Sequence, residues 1–296
     1  MGKSHSKVPL PRFRRGSRDE YIHECINKRK YYASYIFPSD NDEVDRLTVQ
    51  HYIFQHIWES NFSSPVKDLL KSGAKVLDVG CGPGVWVLEM ADKYRDSTFT
   101  GIDIVANFPQ TIRPENTNFF TGEVKRLPFE DNTFDFVYMR FMMFAITMDD
   151  WPEAIDELVR VCKPDGWIEI MERDILWYNE SEIVRNWRTK IVDKLREEKG
   201  IELIITPHIP RFLYTNDKLT NIKCDQREAK ISWGGKIYEA YGKMIIWGAK
   251  NLSNAISEIQ FNEGDYDYLV DVAIDDIAKN KGYDKSYRFW AQKKIC

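Results

Sequence analysis

Short apolar runs and helical patterns alternate through the middle of the chain. Five runs are rich in β-branched and aromatic residues, and helical patterns separate several of them; the runs are KVLDV, FTGIDIV, TNFFTG, FDFVYMR and WIEIME. An Asp165-Gly166 turn precedes the fifth run. The helical pattern before that turn places Trp151, Ile155 and Leu158 on one face. Strands separated by about one helix each predict a parallel sheet with right-handed crossovers.

Helices are expected before this region. From Glu43 to Trp58 the apolar positions recur every three or four residues and form one buried stripe, made by Val44, Leu47, His51, Phe54 and Trp58. His51 is a candidate base, but its place in this stripe favours a core histidine. A second, short helix is predicted over Pro65 to Lys71, ended by Gly73.

The last 120 residues are less regular. We predict a helix over Glu180 to Lys199, a loop over the Pro-containing stretch 206–211 and a strand in IKCDQREAKISW. Two helices are expected over Ile237 to Ile259 and Asp265 to Lys279. The alternating segment SYRFWAQKK is interpreted as the last strand, at an edge of the same sheet.

The composition is that of an ordinary globular chain. It has 296 residues, of which 43% are hydrophobic and 30% charged, and this argues against a disordered or collagen-like protein. The longest apolar stretch, Phe141 to Met148, is far shorter than the roughly 18 to 20 residues that span a bilayer. A net charge of −4 gives no electrostatic case for nucleic acid as the main partner.

Charge is concentrated at the N-terminus. Residues 1–18 carry +6 and no acidic residue, which leaves −10 for the rest. Such a leader suggests contact with a membrane or an acidic partner, and MGKSHS fits the pattern for acylation of Gly2. We divide the chain into a basic leader (1–30), a helical segment (31–73) and a main domain (74–296). The main domain comprises a core (74–174) and a C-terminal helical insert with the last strands (175–296).

The cysteines and the first residues indicate the compartment. Lysine, arginine and proline interrupt every short apolar group behind Met1, so no secretory signal is expected. The five cysteines form no C-x-x-C pair, which disfavours a zinc cluster and points to reduced thiols. The expected location is the cytoplasm, with the nucleus as the alternative, and no metal is expected.

The stretch VLDVGCGPG carries the strongest functional signal. Gly80, Gly82 and Gly84 follow an apolar strand at every second position, which allows positive φ and a close approach of a ligand to the backbone. The helix that begins after them offers free N–H groups. Cys81 is interpreted as a small residue that fits this turn.

Three kinds of cofactor compete for such a turn. A phosphate-binding Walker loop is excluded, because no G-x-x-x-x-G-K-[ST] occurs. A dinucleotide fingerprint requires glycine or alanine where Val85 stands, and Asp78 would lie poorly beside a pyrophosphate. A carboxylate at Asp78 instead suits an ammonium group, such as that of S-adenosylmethionine. NAD remains a minor alternative.

Two acids follow the next two strands. Asp103 ends the second strand and is placed to accept both hydroxyl groups of an adenosine ribose. Glu123 follows the third strand, where we expect its carboxylate to accept from an adenine amino group and the Val124 N–H to donate to a ring nitrogen. Ile104 offers an apolar face to the base.

These blocks in this order resemble the class I S-adenosylmethionine-dependent methyltransferases. The similar blocks are VLDVGCGPG, GIDIV, GEVKRLPFEDNTFDFVYMR and LVRVCKPDGWIEIMER, within residues 74–174. A narrower resemblance, to the fungal LaeA-like (TAM-domain) methyltransferases, rests on YIFPSDNDEVDRLTVQHYIF, GVWVLEMADKY and SYRFWAQKK. The expected fold is therefore α/β and Rossmann-like. It has a mainly parallel seven-stranded sheet, helices on both faces and extra helices at the N- and C-terminal sides.

The resemblance implies methyl transfer from S-adenosylmethionine to an undefined acceptor. A small metabolite is slightly favoured over a protein side chain, and the alternative is a non-catalytic, cofactor-binding regulatory protein of the LaeA-like type. The expected cofactor-binding residues are Asp78, Gly80, Cys81, Gly82, Gly84, Asp103, Ile104, Glu123, Val124 and Arg140.

Residues facing the acceptor are harder to predict, because in-line methyl transfer needs alignment more than a catalytic motif. Arg140, Phe141 and Met142 follow the fourth strand; Arg140 is expected to pair with the cofactor carboxylate, with an acidic substrate or in a surface ion pair. No catalytic base is assigned. The remaining candidates are His208 as an exposed base, Trp177 and Tyr178 as parts of a lid, and Tyr35 and Arg46 as residues that close over the cofactor.

Overall fold

A computed structural model describes residues 23–26, 29–32, 35–252 and 263–295. The first two strands form an antiparallel hairpin, β1 (His23–Ile26) and β2 (Arg29–Tyr32). The boundary predicted at residue 30 falls inside this hairpin. Gly2 and the charges of residues 1–18 lie outside the described residues.

One sheet contains the other strands. These are β3 (Lys75–Val79), β4 (Thr98–Asp103), β5 (Thr117–Thr121), β6 (Phe134–Arg140), β7 (Cys162–Arg173), β8 (Leu219–Lys230) and β9 (Tyr283–Lys293). The helices are α1 (Asn41–Trp58), α2 (Lys67–Ser72), α3 (Val85–Lys93), α4 (Trp151–Val161), α5 (Glu182–Lys199), α6 (Ile209–Thr215), α7 (Lys236–Asn251) and α8 (Glu263–Lys279).

The strand order is β5-β4-β3-β6-β7-β9-β8. Strands β5, β4, β3, β6 and β7 pair in parallel, whereas β9 runs antiparallel to both of its neighbours. The predicted mainly parallel, seven-stranded Rossmann-like sheet is therefore confirmed. The strand order reverses at β3, since β4 lies on one side of it and β6 on the other, and the ends of such strands form a crevice.

Two predictions at the sheet's far side are wrong. The alternation of SYRFWAQKK predicts an edge strand, but β9 is an interior strand, paired with both β7 and β8. The edge belongs to β8, most of whose residues are exposed or half-buried. The fifth parallel strand also begins earlier than predicted, because β7 starts at Cys162 and passes through Asp165, whose φ is 67°.

The loop predicted over 206–211 contains the start of a helix. Helix α6 begins at Ile209, and Pro210 lies in its first turn, where a missing N–H costs nothing. The helix predicted from Ile237 to Ile259 runs from Lys236 to Asn251, and residues 253–262 lie outside the described ranges.

Aromatic and aliphatic side chains cover both faces of the sheet. On one face Trp86 of α3 stacks on Tyr138 of β6, with ring centroids 4.4 Å apart. On the other, Trp151 of α4 is fully buried in a core cluster that includes Val137 and Ile168, which confirms its predicted place in the core. None of the described helices has the length and apolar character needed to cross a bilayer.

Candidate active site

A cavity of about 630 Å³ lies beyond the carboxyl ends of the central strands, at the reversal of strand order. Its volume is within the range of small-molecule sites. Eight of the predicted site residues line it: Gly80, Cys81, Gly82, Asp103, Ile104, Glu123, Val124 and Arg140.

The glycine turn forms one wall of the cavity. Gly80, Gly82 and Gly84 all have positive φ, at 71°, 53° and 77°. A Cβ on Gly80 would overlap the sulfur of Met142, so a larger residue would displace that side chain and would also strain the positive φ. Gly84 does not line the cavity, because it faces Phe119 on the other side of the turn.

Asp103 is held in place by the backbone of two loops. Its carboxylate accepts from the N–H of Gly82 at 2.7 Å and from that of Val105 at 2.9 Å. Burial raises the pKa of this carboxyl, and the N–H groups of Val105, Gly82 and Ile104 oppose that rise. An ionised carboxylate has about four acceptor positions, so the backbone leaves acceptor capacity for a ligand such as the hydroxyl groups of a ribose.

Asp78 lies beneath the turn rather than on the cavity wall. The side chain is 1% exposed, and neither carboxylate oxygen has a hydrogen-bond partner among the described residues. Burial raises its pKa to about 7, although the charge of Arg140 lowers it. A buried carboxylate without a donor is costly, and a cationic ligand group reaching it would remove that cost.

Arg140, at the end of β6, brings a positive charge to the cavity. Its Nη1 lies 3.0 Å from Nδ1 of His51. It makes no ion pair with a carboxylate in the described part of the chain, so the surface ion pair considered as an alternative is absent there.

His51 is buried, as its place on the apolar stripe predicts, but it also lines the cavity. Its Nε2 lies 2.7 Å from Glu89 of α3. Burial lowers the pKa of His51, and the charge of Arg140 adds to this, while Glu89 acts in the opposite direction. The apolar stripe hid this role, because a position at the edge of a buried face touches both the core and the cavity.

The segment before the core covers much of the cavity. Its lining residues are Tyr31, Tyr35, Ile36, Pro38, Glu43, Leu47, Gln50 and His51. Tyr35 lies on the wall as expected. Arg46 does not line the cavity, because it forms a buried ion pair with Glu43 at 2.6 Å. The signal that could have found these residues is the resemblance of this segment to LaeA-like proteins.

The expected lid residues lie elsewhere. Trp177 is buried in the core, and Tyr178 stacks on Tyr283 with ring centroids 4.8 Å apart. His208 precedes α6 and does not line the cavity. Among the described residues of the C-terminal insert, only Lys199 and Ile201 reach the lining, whereas Phe141, Met142 and Phe144 after β6 do so as a group. The described residues contain no cluster of three or more metal-ligating side chains.

Comparison with known proteins agrees with this geometry. Residues 76–166, which include the glycine turn and both acids, match the family described as a methyltransferase domain. The chain carries a class I methyltransferase domain. The cofactor of this methyltransferase domain is S-adenosylmethionine, and the chain is related to the LaeA-like proteins.

Two of the most similar relatives of the methyltransferase domain are fungal. "Methyltransferase pytC" of Aspergillus terreus is 29% identical over 164 residues, 55% of this chain and 49% of that protein. "Secondary metabolism regulator LAE1" of Cochliobolus heterostrophus is 32% identical over 145 residues, 48% of this chain and 46% of that protein. The chain thus spans about half the length of these relatives.

Solved structures include phosphoethanolamine N-methyltransferase 2 of Haemonchus contortus, in complex with S-adenosyl-L-methionine. The two chains are 15% identical, and the match, with a TM-score of 0.47, covers 84% of this chain and 57% of the Haemonchus contortus chain.

The residues of the methyltransferase domain fit this cofactor. The methionine half carries an ammonium and a carboxylate. The guanidinium of Arg140 lines the cavity, and the partnerless carboxylate of Asp78 lies beneath the glycine turn that forms its wall. The adenosine half requires acceptors for two ribose hydroxyls. The Asp103 carboxylate retains acceptor capacity beside its two backbone hydrogen bonds. Glu123, Val124 and Ile104 line the same cavity beyond Asp103.

Proposed function

We propose that the chain transfers the methyl group of S-adenosylmethionine to a small-molecule acceptor. The observation that supports this most directly is that one cavity is shared by two sets of residues. The glycine turn and Asp103 belong to the methyltransferase domain, and Tyr35 and Phe141 extend the same space on the side of the N-terminal segment. An acceptor in that space would lie beside the cofactor.

The bound cofactor supplies an electrophilic methyl group on a sulfonium, and the protein aligns the acceptor with it. Asp103 and Glu123 bind the adenosine half, while Asp78 and Arg140 fix the methionine half. Tyr35, Phe141 and Phe144 restrict access of water. Alignment and exclusion of water supply much of the rate enhancement for such a displacement. A base is required only if the acceptor must first lose a proton.

A small acceptor is favoured over a protein side chain because of the cover. Eight residues of the N-terminal segment line the cavity, including Ile36 and Pro38. A folded protein would have to insert a side chain beneath this cover, whereas a small molecule needs only to enter the cavity.

The test uses S-adenosylmethionine labelled with tritium on the methyl group. The purified chain is incubated with fungal extract separated into small-molecule and macromolecular fractions, and the label in each is counted. We expect label in the small-molecule fraction. Label in macromolecules alone would overturn the preference for a small acceptor.

A substitution in the cavity distinguishes methyl transfer by this site from background labelling. Asp103→Asn removes one acceptor position at the ribose, so the labelling should fall. Asp92→Asn changes an exposed acid at the end of α3, outside the cavity, and should leave the labelling unchanged.

A non-catalytic regulatory protein is the second candidate, and the name of the relative LAE1, a secondary metabolism regulator, favours it. Such a protein would bind the cofactor without transfer. Calorimetric titration with S-adenosylhomocysteine separates the two functions: binding without label transfer to any fraction supports the regulator, and binding with transfer supports the enzyme.

A further inference from the structure

We propose that Glu89 and His51 are positioning residues, which hold Arg140 toward the carboxylate of the bound cofactor. This inference rests on the proposed function, since it concerns the same cavity. Glu89 lies on α3, His51 on α1 and Arg140 at the end of β6, so the three side chains join three separate elements.

The contacts fix the state of the imidazole. Arginine only donates hydrogen bonds, so Nδ1 of His51 must accept from Nη1 of Arg140 across the 3.0 Å between them. Nε2 then carries the hydrogen and donates to Glu89 at 2.7 Å. The arrangement requires a neutral His51 in a single tautomer, because a protonated ring has no lone pair for Arg140.

Glu89, at the far side of His51 from Arg140, is also held in place. The Glu89 carboxylate accepts from the side-chain amides of Gln55 and of Asn61, the latter at 2.9 Å. The hydrogen bond from His51, followed by those from these two amides, holds the pKa of Glu89 below its usual value. Glu89 is therefore an ionised, well-anchored acceptor, and it orients the His51 ring rather than moving with it.

Arg140 can still donate hydrogen bonds to a ligand in this arrangement. Nη1 is directed to His51, and no carboxylate in the described part of the chain pairs with the guanidinium. The side chain lines the cavity, and its charge acts on the nearby Asp78 beneath the turn. A guanidinium held on one side and open on the other is suited to a carboxylate.

Protonation of His51 would break this arrangement. The groups acting on His51 from the packed elements are Glu89 of α3 and Arg140 of β6. On its own helix, the ring of Tyr52 lies 5.0 Å away. An imidazolium beside Arg140 would repel it, so the guanidinium would leave its position. Burial lowers the pKa of His51, which keeps the ring neutral above about pH 6.5.

The experiment compares the affinities of two ligands. One is S-adenosylhomocysteine, and the other is its decarboxylated analogue, which keeps the ammonium and lacks only the carboxylate. The ratio of their dissociation constants isolates the carboxylate contact, because contributions of Asp78 and Asp103 cancel. In the unaltered chain we expect S-adenosylhomocysteine to bind more tightly. As the pH falls below 6.5, we expect this preference to decrease.

Two substitutions of His51 separate positioning from packing. Asn places an amide oxygen near the position of Nδ1, so His51→Asn keeps an acceptor for Arg140. Gln places an amide nitrogen near the position of Nε2, so His51→Gln keeps a donor to Glu89 and loses that acceptor. We expect the preference to fall about tenfold in His51→Gln, as loss of one charge-assisted contact implies. His51→Asn should retain most of it.

His56→Gln is the matched control, because His56 is an exposed histidine on the same helix and does not line the cavity. Binding of 5′-methylthioadenosine, which lacks both charged groups, verifies that each variant is folded. An unchanged preference in His51→Gln, or equal losses in both His51 variants, would overturn the positioning role. A chain that binds neither S-adenosylhomocysteine nor 5′-methylthioadenosine would instead contradict the proposed function.

Discussion

Asp103 illustrates how a single side chain serves both the fold and the cavity. It accepts from the N–H groups of Gly82 and Val105, and these bonds connect the glycine turn to the end of β4. The same carboxylate lines the cavity. Its position is therefore set before any ligand arrives, which reduces the entropy lost on binding.

Replacing Asp103 by alanine should weaken cofactor binding. The variant loses a charged acceptor for two hydroxyl groups, and we expect a cost of about 1.5–3 kcal/mol. Calorimetric titration with S-adenosylhomocysteine measures it, and Asp92→Ala serves as the control because Asp92 is exposed on α3. An affinity equal to that of the unaltered chain would remove Asp103 from the site.

Asp78 should release a proton when the cofactor binds. Its pKa is about 7 without a ligand, so at pH 7 a substantial fraction is protonated. An ammonium nearby favours the ionised form, and affinity should therefore rise with pH through this range. At pH 7, the binding heat should depend on the ionisation enthalpy of the buffer, and Asp78→Asn should reduce this dependence. A heat that is the same in phosphate and in Tris would contradict the proton release.

The sequence predicted many residues of the cavity lining, because glycines and acids after strands have fixed positions in an α/β sheet. It did not predict that Gly84 faces Phe119, since a glycine spaced correctly in a turn can point away from the ligand. It favoured a core role for His51, because a place on an apolar stripe does not reveal which neighbours the ring nitrogens meet.

At the scale of elements, the glycine turn joins β3 to α3 through tight packing. A Cβ on Gly84 would lie 2.6 Å from Cε1 of Phe119, whose ring stacks on Phe108 with centroids 5.0 Å apart. A Cβ on Gly82, in contrast, would meet only Leu47, at an ordinary 3.5 Å. Both residues have positive φ, so they differ mainly in the space around them.

Gly84→Ala should therefore destabilise the protein more than Gly82→Ala. Both variants carry the strain of a side chain in the left-handed region, and Gly84→Ala adds a steric clash of about 1–3 kcal/mol. Chemical denaturation of the two variants measures the difference in free energy of unfolding. Equal losses would show that Phe119 moves aside without cost.

The sequence predicted the central strands closely because each is a compact apolar run between turns. It failed where neighbours decide the structure. Pro210 suggested a loop, although a proline is also accepted in the first turn of a helix, as in α6. The alternation of β9 showed a half-buried strand, but no local pattern states that it pairs on both sides.

In the molecule as a whole, one buried network connects β9 to the segment that precedes the sheet. Arg288 of β9 is 2% exposed, donates to the backbone oxygen of Ser60 at 2.8 Å and lies over the ring of Trp58. Its Nε is 3.7 Å from the Glu169 carboxylate of β7, which also accepts from the N–H groups of residues 63 and 64. The network therefore anchors the loop after α1 to the far half of the sheet.

Arg288→Met should destabilise the fold strongly. The substitution leaves the buried Glu169 without its cation, and removing one partner of a buried pair costs about 3–5 kcal/mol. Adding Glu169→Gln should recover part of the loss, because the uncompensated charge then disappears. Urea denaturation of the single and double variants provides the measurement. A cost below about 1 kcal/mol for Arg288→Met would mean that the hydrogen bonds from Ser63 and Ser64 suffice.

The interior position of β9 has a consequence for biosynthesis. The ribosome makes the five parallel strands before it reaches Tyr283. Strands β7 and β8 cannot complete their pairing until β9, which lies between them, has been made. Among the described strands, β8 pairs with β9 alone. The nascent polypeptide can therefore form the strands around the cavity while one border of β7 stays open. That border is prone to wrong pairing until translation passes Lys293.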